Sequence, residues 1–251
     1  MEITEHIAAL CSAGSRLSAA AADAGPDASV PSCPDWVVRD LVRHQGGVHR
    51  WAAGIVGTPR TEPWNVDLDE VVESWPADAD LIGWFGTGLD ALVKVLSAAD
   101  PGLACWTFLA AASPLAMWAR RQAHETSVHA VDAELAARRA VEPFPASFAA
   151  DGIGELLECF ITRPGRLRSD PGRVLRVRCT DAPGDWLVSI GPDGVTTMPA
   201  DASSRTDCAV AGSADDLYLV LWSRRSPAVL SIEGDGAILD LFLDRVNVRW
   251  S

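Results

Sequence analysis

Six residues of one stretch, Trp118, Gln122, Glu125, His129, Asp132 and Ala136, follow one another at alternating steps of four and three. On a helix that spacing puts them on a single face. Three ionisable groups then stand where a packed helix places its core, and a buried carboxylate is costly unless it is paired, hydrogen-bonded or metal-bound. Glu125 and His129, four apart, lie one turn from each other and can share a metal ion. His44 borders an apolar face made by Leu41, Val48, Ala52 and Ile55, whereas His49 is expected to point towards the bundle edge. Two neutral imidazoles and one carboxylate leave a coordination position open, as in catalytic zinc sites and other divalent-metal sites. The same spacing suits a hydrogen-bonded core pair, so spacing alone leaves both readings standing. His124-Glu125 starts like the H-E-x-x-H zinc motif, but His129 comes one residue too late and faces another side. Asp132 suits a partner of a ligand or of an arginine better than a ligand. Arg121 can reach the stripe, while Arg120 reads as part of a solvated face. Cys33 has no neighbour in sequence that would clearly lower its thiol pKa.

Long amphipathic helices must position these groups. Ile7, Leu10, Leu17 and Ala21 mark a first helix from Ile3, which ends before Pro26, Pro31 and Pro34. A second runs from about Trp36 to Val56. A third covers about Ala79 to Ala99 and stops at Asp100-Pro101. The fourth starts at the cap Ser113 with Pro114 at the first helical position and continues to about Arg139. These elements predict an antiparallel four-helix bundle over residues 1–145. The character changes around Glu142-Pro143-Phe144-Pro145. A short helix near Ile153 to Ile161 precedes period-two sequence from Leu175 to Cys179. Strands at Trp186 to Ile190 and Val195 to Met198 flank the turn Gly191-Pro192-Asp193-Gly194. Further strands at Cys208 to Ala211 and Val229 to Ile232, and helices from Ser213 to Trp222 and Ala237 to Val246, make residues 146–251 a smaller α+β domain. The fold class is therefore α+β.

Composition narrows the function. At 48% hydrophobic and 22% charged residues the chain has a globular profile. Its net charge of −13 repels phosphate backbones, which argues against a nucleic-acid partner. The six cysteines are scattered without a C-x-x-C pair, and the opening MEITEH lacks a basic n-region; both favour a reduced, cytoplasmic location. The uncharged run Pro101 to Ala119 is borderline for a membrane span, but Ser113-Pro114 divides it into a loop and a helix start. From Glu62 to Asp80 seven acidic residues and no basic ones surround Trp64 and Trp75, which reads as an ordered surface connection.

Two stretches carry a family resemblance. Cys33-Pro34-Asp35-Trp36-Val37-Val38-Arg39-Asp40-Leu41-Val42-Arg43-His44, followed by Gly46-Gly47-Val48-His49-Arg50-Trp51, is similar to the first signature of the mycothiol-dependent maleylpyruvate isomerase family, a branch of the DinB-like bundles. Arg121-Gln122-Ala123-His124-Glu125 through Val128-His129 and Asp132 resembles its R-x-x-H-E-x-x-x-H-x-x-D run. Asp151-Gly152, Asp181 to Trp186, Leu221-Trp222-Ser223-Arg224 and Gly234-Asp235 look like its C-terminal domain. The resemblance implies that His44, Glu125 and His129 are the ligands of a divalent metal, with zinc foremost. It also implies mycothiol, the small thiol of actinobacteria, as cosubstrate. The thiolate would add to a small electrophile; loss of the thiol after bond rotation gives cis-trans isomerisation, and retention gives an S-transferase. Arg224, from the family's L-W-x-R motif, and Arg121 are the candidate catalytic residues. Arg224 would clamp a substrate carboxylate; the bland alternative is a cap on its helix. Val37 departs from the Thr or Ser usual in the family and is expected to shift the cap to Asp35. A zinc-dependent hydrolase or amidase on the same bundle, or a non-catalytic metal- or ligand-binding protein, are the competing functions.

Overall fold

The computed structural model describes residues 1–163, 165, 167–201 and 204–246. The chain divides into two compact units, Met1–Glu142 and Pro143–Ser251. In the first, four long helices form a ring: α1 (Ile3–Ala24), α2 (Val38–Gly57), α4 (Leu81–Ala98) and α5 (Pro114–Ala136), with the single-turn α3 (Leu68–Val71) in the acidic connection. Their ends follow local chemistry. Ser113 Oγ accepts from Ala116 N with Pro114 next in line, which sets the start of α5. α2 is capped at Val37, not Asp35. The valine has no acceptor to offer, and Asp40 reaches back to take the Val37 N–H at 3.0 Å.

Neighbouring helices do not simply alternate in direction. His6 meets His124 and Arg16 meets Glu134, so α1 and α5 run the same way. Gly46 lies against Trp84 and Gly57 against Val95, so α2 and α4 also run together. Gln45 meets Thr126 and Trp51 meets Trp118, which makes α2 antiparallel to α5. The antiparallel relation is thus between pairs of helices. Residues 58–80 are long enough to return the chain along a helix of about 30 Å and permit this arrangement. Apolar side chains such as Leu10, Leu17, Leu41, Ile55, Phe85, Leu92 and Trp118 fill the centre. Between Arg121 and Glu134 every residue of α5 is buried. The run Pro101 to Ala119 is a loop followed by the first turns of α5. The stretch Asp78–Ala98 is long and apolar enough to cross a membrane by length and composition, and it buries Leu81, Phe85, Leu89, Leu92 and Leu96 within the protein.

The second unit opens with α6 (Ala146–Gly154), earlier than its apolar periodicity indicates, and continues as a π-helical segment, Glu155–Phe160. Five strands follow, β1 (Arg173–Cys179), β2 (Asp185–Ile190), β3 (Val195–Pro199), β4 (Cys208–Gly212) and β5 (Ser231–Gly234), with α7 (Ala214–Leu221) between β4 and β5 and α8 (Ala237–Arg245) last. The sheet order is β3-β2-β1-β4-β5, parallel only between β1 and β4. Leu175, Val177, Val188, Ile190, Cys208 and Val210 form its buried face. β5 starts two residues later than the expected strand. Pro227, with Ser226 Oγ accepting from Ala228 N, commits residues 227–229 to a 3-10 turn.

Candidate metal centre

α5 delivers Glu125 and His129 one turn apart, and α2 delivers His44 from the opposite side of their shared interface. Glu125 Oε1 lies 3.4 Å from His129 Nε2 and 3.8 Å from His44 Nε2. All three ligand atoms fall within 4.8 Å of one another. Donors about 2.0–2.2 Å from a tetrahedral zinc ion stand roughly 3.3–3.6 Å apart, so the two carboxylate–imidazole spacings need only a small contraction. Glu125 Oε1 is buried and accepts no hydrogen bond of ordinary geometry. A carboxylate oxygen without a donor, faced by two imidazole nitrogens, is the donor set that a divalent cation satisfies. The residues fit the metal.

The surrounding groups orient these donors. Arg121, itself buried, donates from Nη2 to Glu125 Oε2 at 2.7 Å, which leaves the other oxygen towards the imidazoles. Burial pushes the Glu125 carboxyl up, but the guanidinium and the two histidines outweigh it and hold the group well below its ordinary value. His129 Nδ1 meets Asp132 Oδ2 at 2.9 Å, an arrangement that fixes the tautomer and frees Nε2 to ligate. Burial alone would lower the His129 pKa; Asp132 and Glu125 raise it above the ordinary value. For His44, burial wins and the pKa falls. Asp132 also accepts from Ser32 Oγ and lies 3.9 Å from Cys33 Sγ, so the turn before α2 is tied to the carboxylate that holds His129. Trp36, from that turn, sets its ring 4.9 Å from the His44 ring and stacks on His129 at 6.1 Å.

The structure brings together His44, Glu125, His129, Asp132 and Arg121. His124 is buried elsewhere, edge-on to His6. Arg224 belongs to the second unit, where its Nη1 donates to the Trp222 carbonyl just past α7; Arg225 pairs instead with Asp215 and Asp216. His49 corrects the wheel drawn from apolar residues. It is fully buried, because α2 packs against α4 on one side and α5 on the other and so buries a wider arc than its leucines and valines mark. Its Nε2 lies 2.9 Å from both Thr126 Oγ1 and Gln45 Nε2. Burial and the nearby Arg50 push its pKa down to about 3. The spacing of Leu41, Gln45, His49, Ala52 and Val56 along one side of α2 is the signal that would have found it.

Residues 7–134 match the model of the mycothiol maleylpyruvate isomerase N-terminal domain, and residues 147–241 match that of the MDMPI C-terminal domain. The chain belongs to the mycothiol maleylpyruvate isomerase family. Among solved structures, it resembles crystal structures of the mycothiol-dependent maleylpyruvate isomerase and of a point mutant of that enzyme. Each match has a TM-score of 0.64 and 15% identity and covers 93% of both chains. At that identity the likeness shows the fold. No curated protein matches this chain at a significant level. The family membership agrees with the helical first unit and the α+β second unit.

Proposed function

We propose that this chain is a metal-dependent enzyme with mycothiol as its thiol cosubstrate. It would act on a small electrophile as a cis-trans isomerase of the maleylpyruvate type or as an S-transferase. The observation that carries the reading is the convergence of the buried Glu125 Oε1 and His129 Nε2 with Nε2 of the partly exposed His44. When bound there, zinc or another divalent cation supplies stabilisation of a thiolate, which makes a thiol nucleophilic at neutral pH. Arg121 keeps Glu125 ionised and turned towards the donors, and Asp132 holds His129 in the ligating tautomer. Trp36 sets its apolar ring against both imidazoles. In the reaction, the sulfur forms a C–S bond to the electrophilic carbon and the displaced electron pair moves into the conjugated carbonyl. After rotation, the C–S bond breaks and the thiol leaves; if carbon takes a proton instead, the adduct is the product. Arg224, which donates from Nη1 to the Trp222 carbonyl in the second unit, is the residue we propose as the cation for a substrate carboxylate. A cytoplasmic setting fits the six free thiols.

Elemental analysis of the purified protein tests the metal, with one equivalent expected for wild type and loss in His44→Ala, Glu125→Ala and His129→Ala. Asp132→Asn should retain metal with about 10–100-fold weaker affinity. Turnover of an electrophile that needs added mycothiol separates this reading from a hydrolase, and metal without turnover would leave a binding protein. Arg224→Ala is expected to lower kcat/KM by roughly tenfold or more for a carboxylate-bearing electrophile while metal content is kept. An equal loss for an uncharged electrophile would instead make it a structural cap.

A further inference from the structure

Beside the three donors lies a buried polar triad that the proposed chemistry does not use. Gln45 Nε2 donates to Thr126 Oγ1 at 3.0 Å, and His49 Nε2 stands 2.9 Å from each of them. Gln45 and His49 are completely buried, as is Thr126. Gln45 follows His44 in the chain, and Thr126 follows Glu125. The triad therefore bridges α2 and α5 at the level of the ligands' own backbone. Glu125 and His129 share one helix, so their spacing is set by helical geometry. His44 comes from the other helix, and its reach to Glu125 depends on how α2 and α5 slide and turn against each other. Apolar contact is non-directional and does not fix such a register. Hydrogen bonds between helices do. Three polar side chains in a core are also a poor choice for stability alone, since apolar groups of similar shape in all three places are close to neutral or stabilising.

We infer that Gln45, His49 and Thr126 are positioning residues that set the register of α2 on α5 and hence hold His44 at ligating distance from Glu125 and His129. This rests on the metal reading above. The test uses the full-length protein freed of metal and titrated with Co2+ alone, followed by its visible absorption bands. In the all-apolar variant Gln45→Leu, His49→Leu, Thr126→Val, the expected result is a Co2+ affinity at least about tenfold weaker and a changed band pattern. The melting temperature of the metal-free form should stay within a few degrees of wild type or above it. Unchanged affinity and bands would overturn the inference, whatever the melting temperature does. If the triple variant does not fold, Thr126→Val is judged by the same two readouts, with Thr126→Ser expected to restore both. A wild-type protein that takes up no Co2+ would overturn the metal reading and this inference together. Uptake that requires His44 but ignores the triad would overturn this inference alone.

Discussion

Glu125 divides its two oxygens between a guanidinium and a pair of imidazoles, and the division has measurable consequences. In metal-free Arg121→Met the carboxylate loses its counter-charge in the core, a loss of roughly 3–5 kcal/mol for a broken buried pair. Co2+ should then recover a larger share of stability than it does in wild type, because the cation replaces the missing charge. Equal thermal shifts in the two proteins would show that Arg121 is not the compensating group. His49 governs a different condition. It stays neutral in the fold down to about pH 3, whereas the unfolded chain protonates it near 6.5. Between those values the unfolded state holds the extra proton, so acidification costs stability at about 1.4 kcal/mol per pH unit. His44, lowered by burial, pulls the same way. His129 has a raised pKa, so its contribution is complete below its unfolded value and is lost only as pH rises through the higher folded one. Glu125, held low, acts beneath the ordinary carboxylate range. Urea titrations of chelated His49→Gln should therefore show a shallower fall between pH 6.5 and 5, by about 2 kcal/mol over the interval. An unchanged slope would rule out a buried neutral imidazole. The meeting of Glu125 and His129 with His44 was legible in the sequence, because an ionisable stripe on the core face of α5 demands a partner and His44 borders the apolar face of α2. The burial of His49 was missed because the wheel was drawn from apolar residues alone, and the wider arc that α4 and α5 bury together takes in Gln45 and His49.

Gly46 lets α2 pack closely on α4, whereas Gly86 takes no part in that contact. A Cβ on Gly46 would come within 2.2 Å of the Trp84 ring, which Arg50 covers at 3.7 Å and Trp75 flanks. Gly46→Ala should lose about 1–3 kcal/mol by overpacking, read from denaturant melts. A Cβ on Gly86, inside α4, meets nothing within 4 Å, and Gly86→Ala should gain about 0.5–1 kcal/mol from helix propensity. Similar effects at both positions would mean that the helices do not approach as described. The long helices were readable because caps and apolar stripes agree, as at Ser113-Pro114 and at Phe85, Leu89, Leu92 and Leu96. The segment from Ala146 to Phe160 was not. Small residues at its start carry little apolar signal, and a π-helical turn shifts the register away from the 3.6-residue period. The late start of β5 hinges on Pro227, whose fixed φ favours a tight turn over the strand that Val229 suggests.

A molecule of net charge −13 repels an anionic substrate at long range, whatever cations lie near the site. Raising ionic strength from about 0.01 to 0.15 M shortens the screening length from about 30 to 8 Å and should raise kcat/KM for a dicarboxylate electrophile. A neutral electrophile should show no such rise, and a fall for the dicarboxylate would mean that the field around the site is positive. The ring of helices also bears on synthesis. α1 lies along α5, clamped by the bidentate pair of Arg16 with Glu134, 118 positions apart in the chain. At roughly 5–20 residues per second, about ten seconds of translation separate the two halves of that clamp. Throughout that interval α1 lacks the helix it packs along, so Leu10 and Leu17 gain their full burial only after α5 has been made.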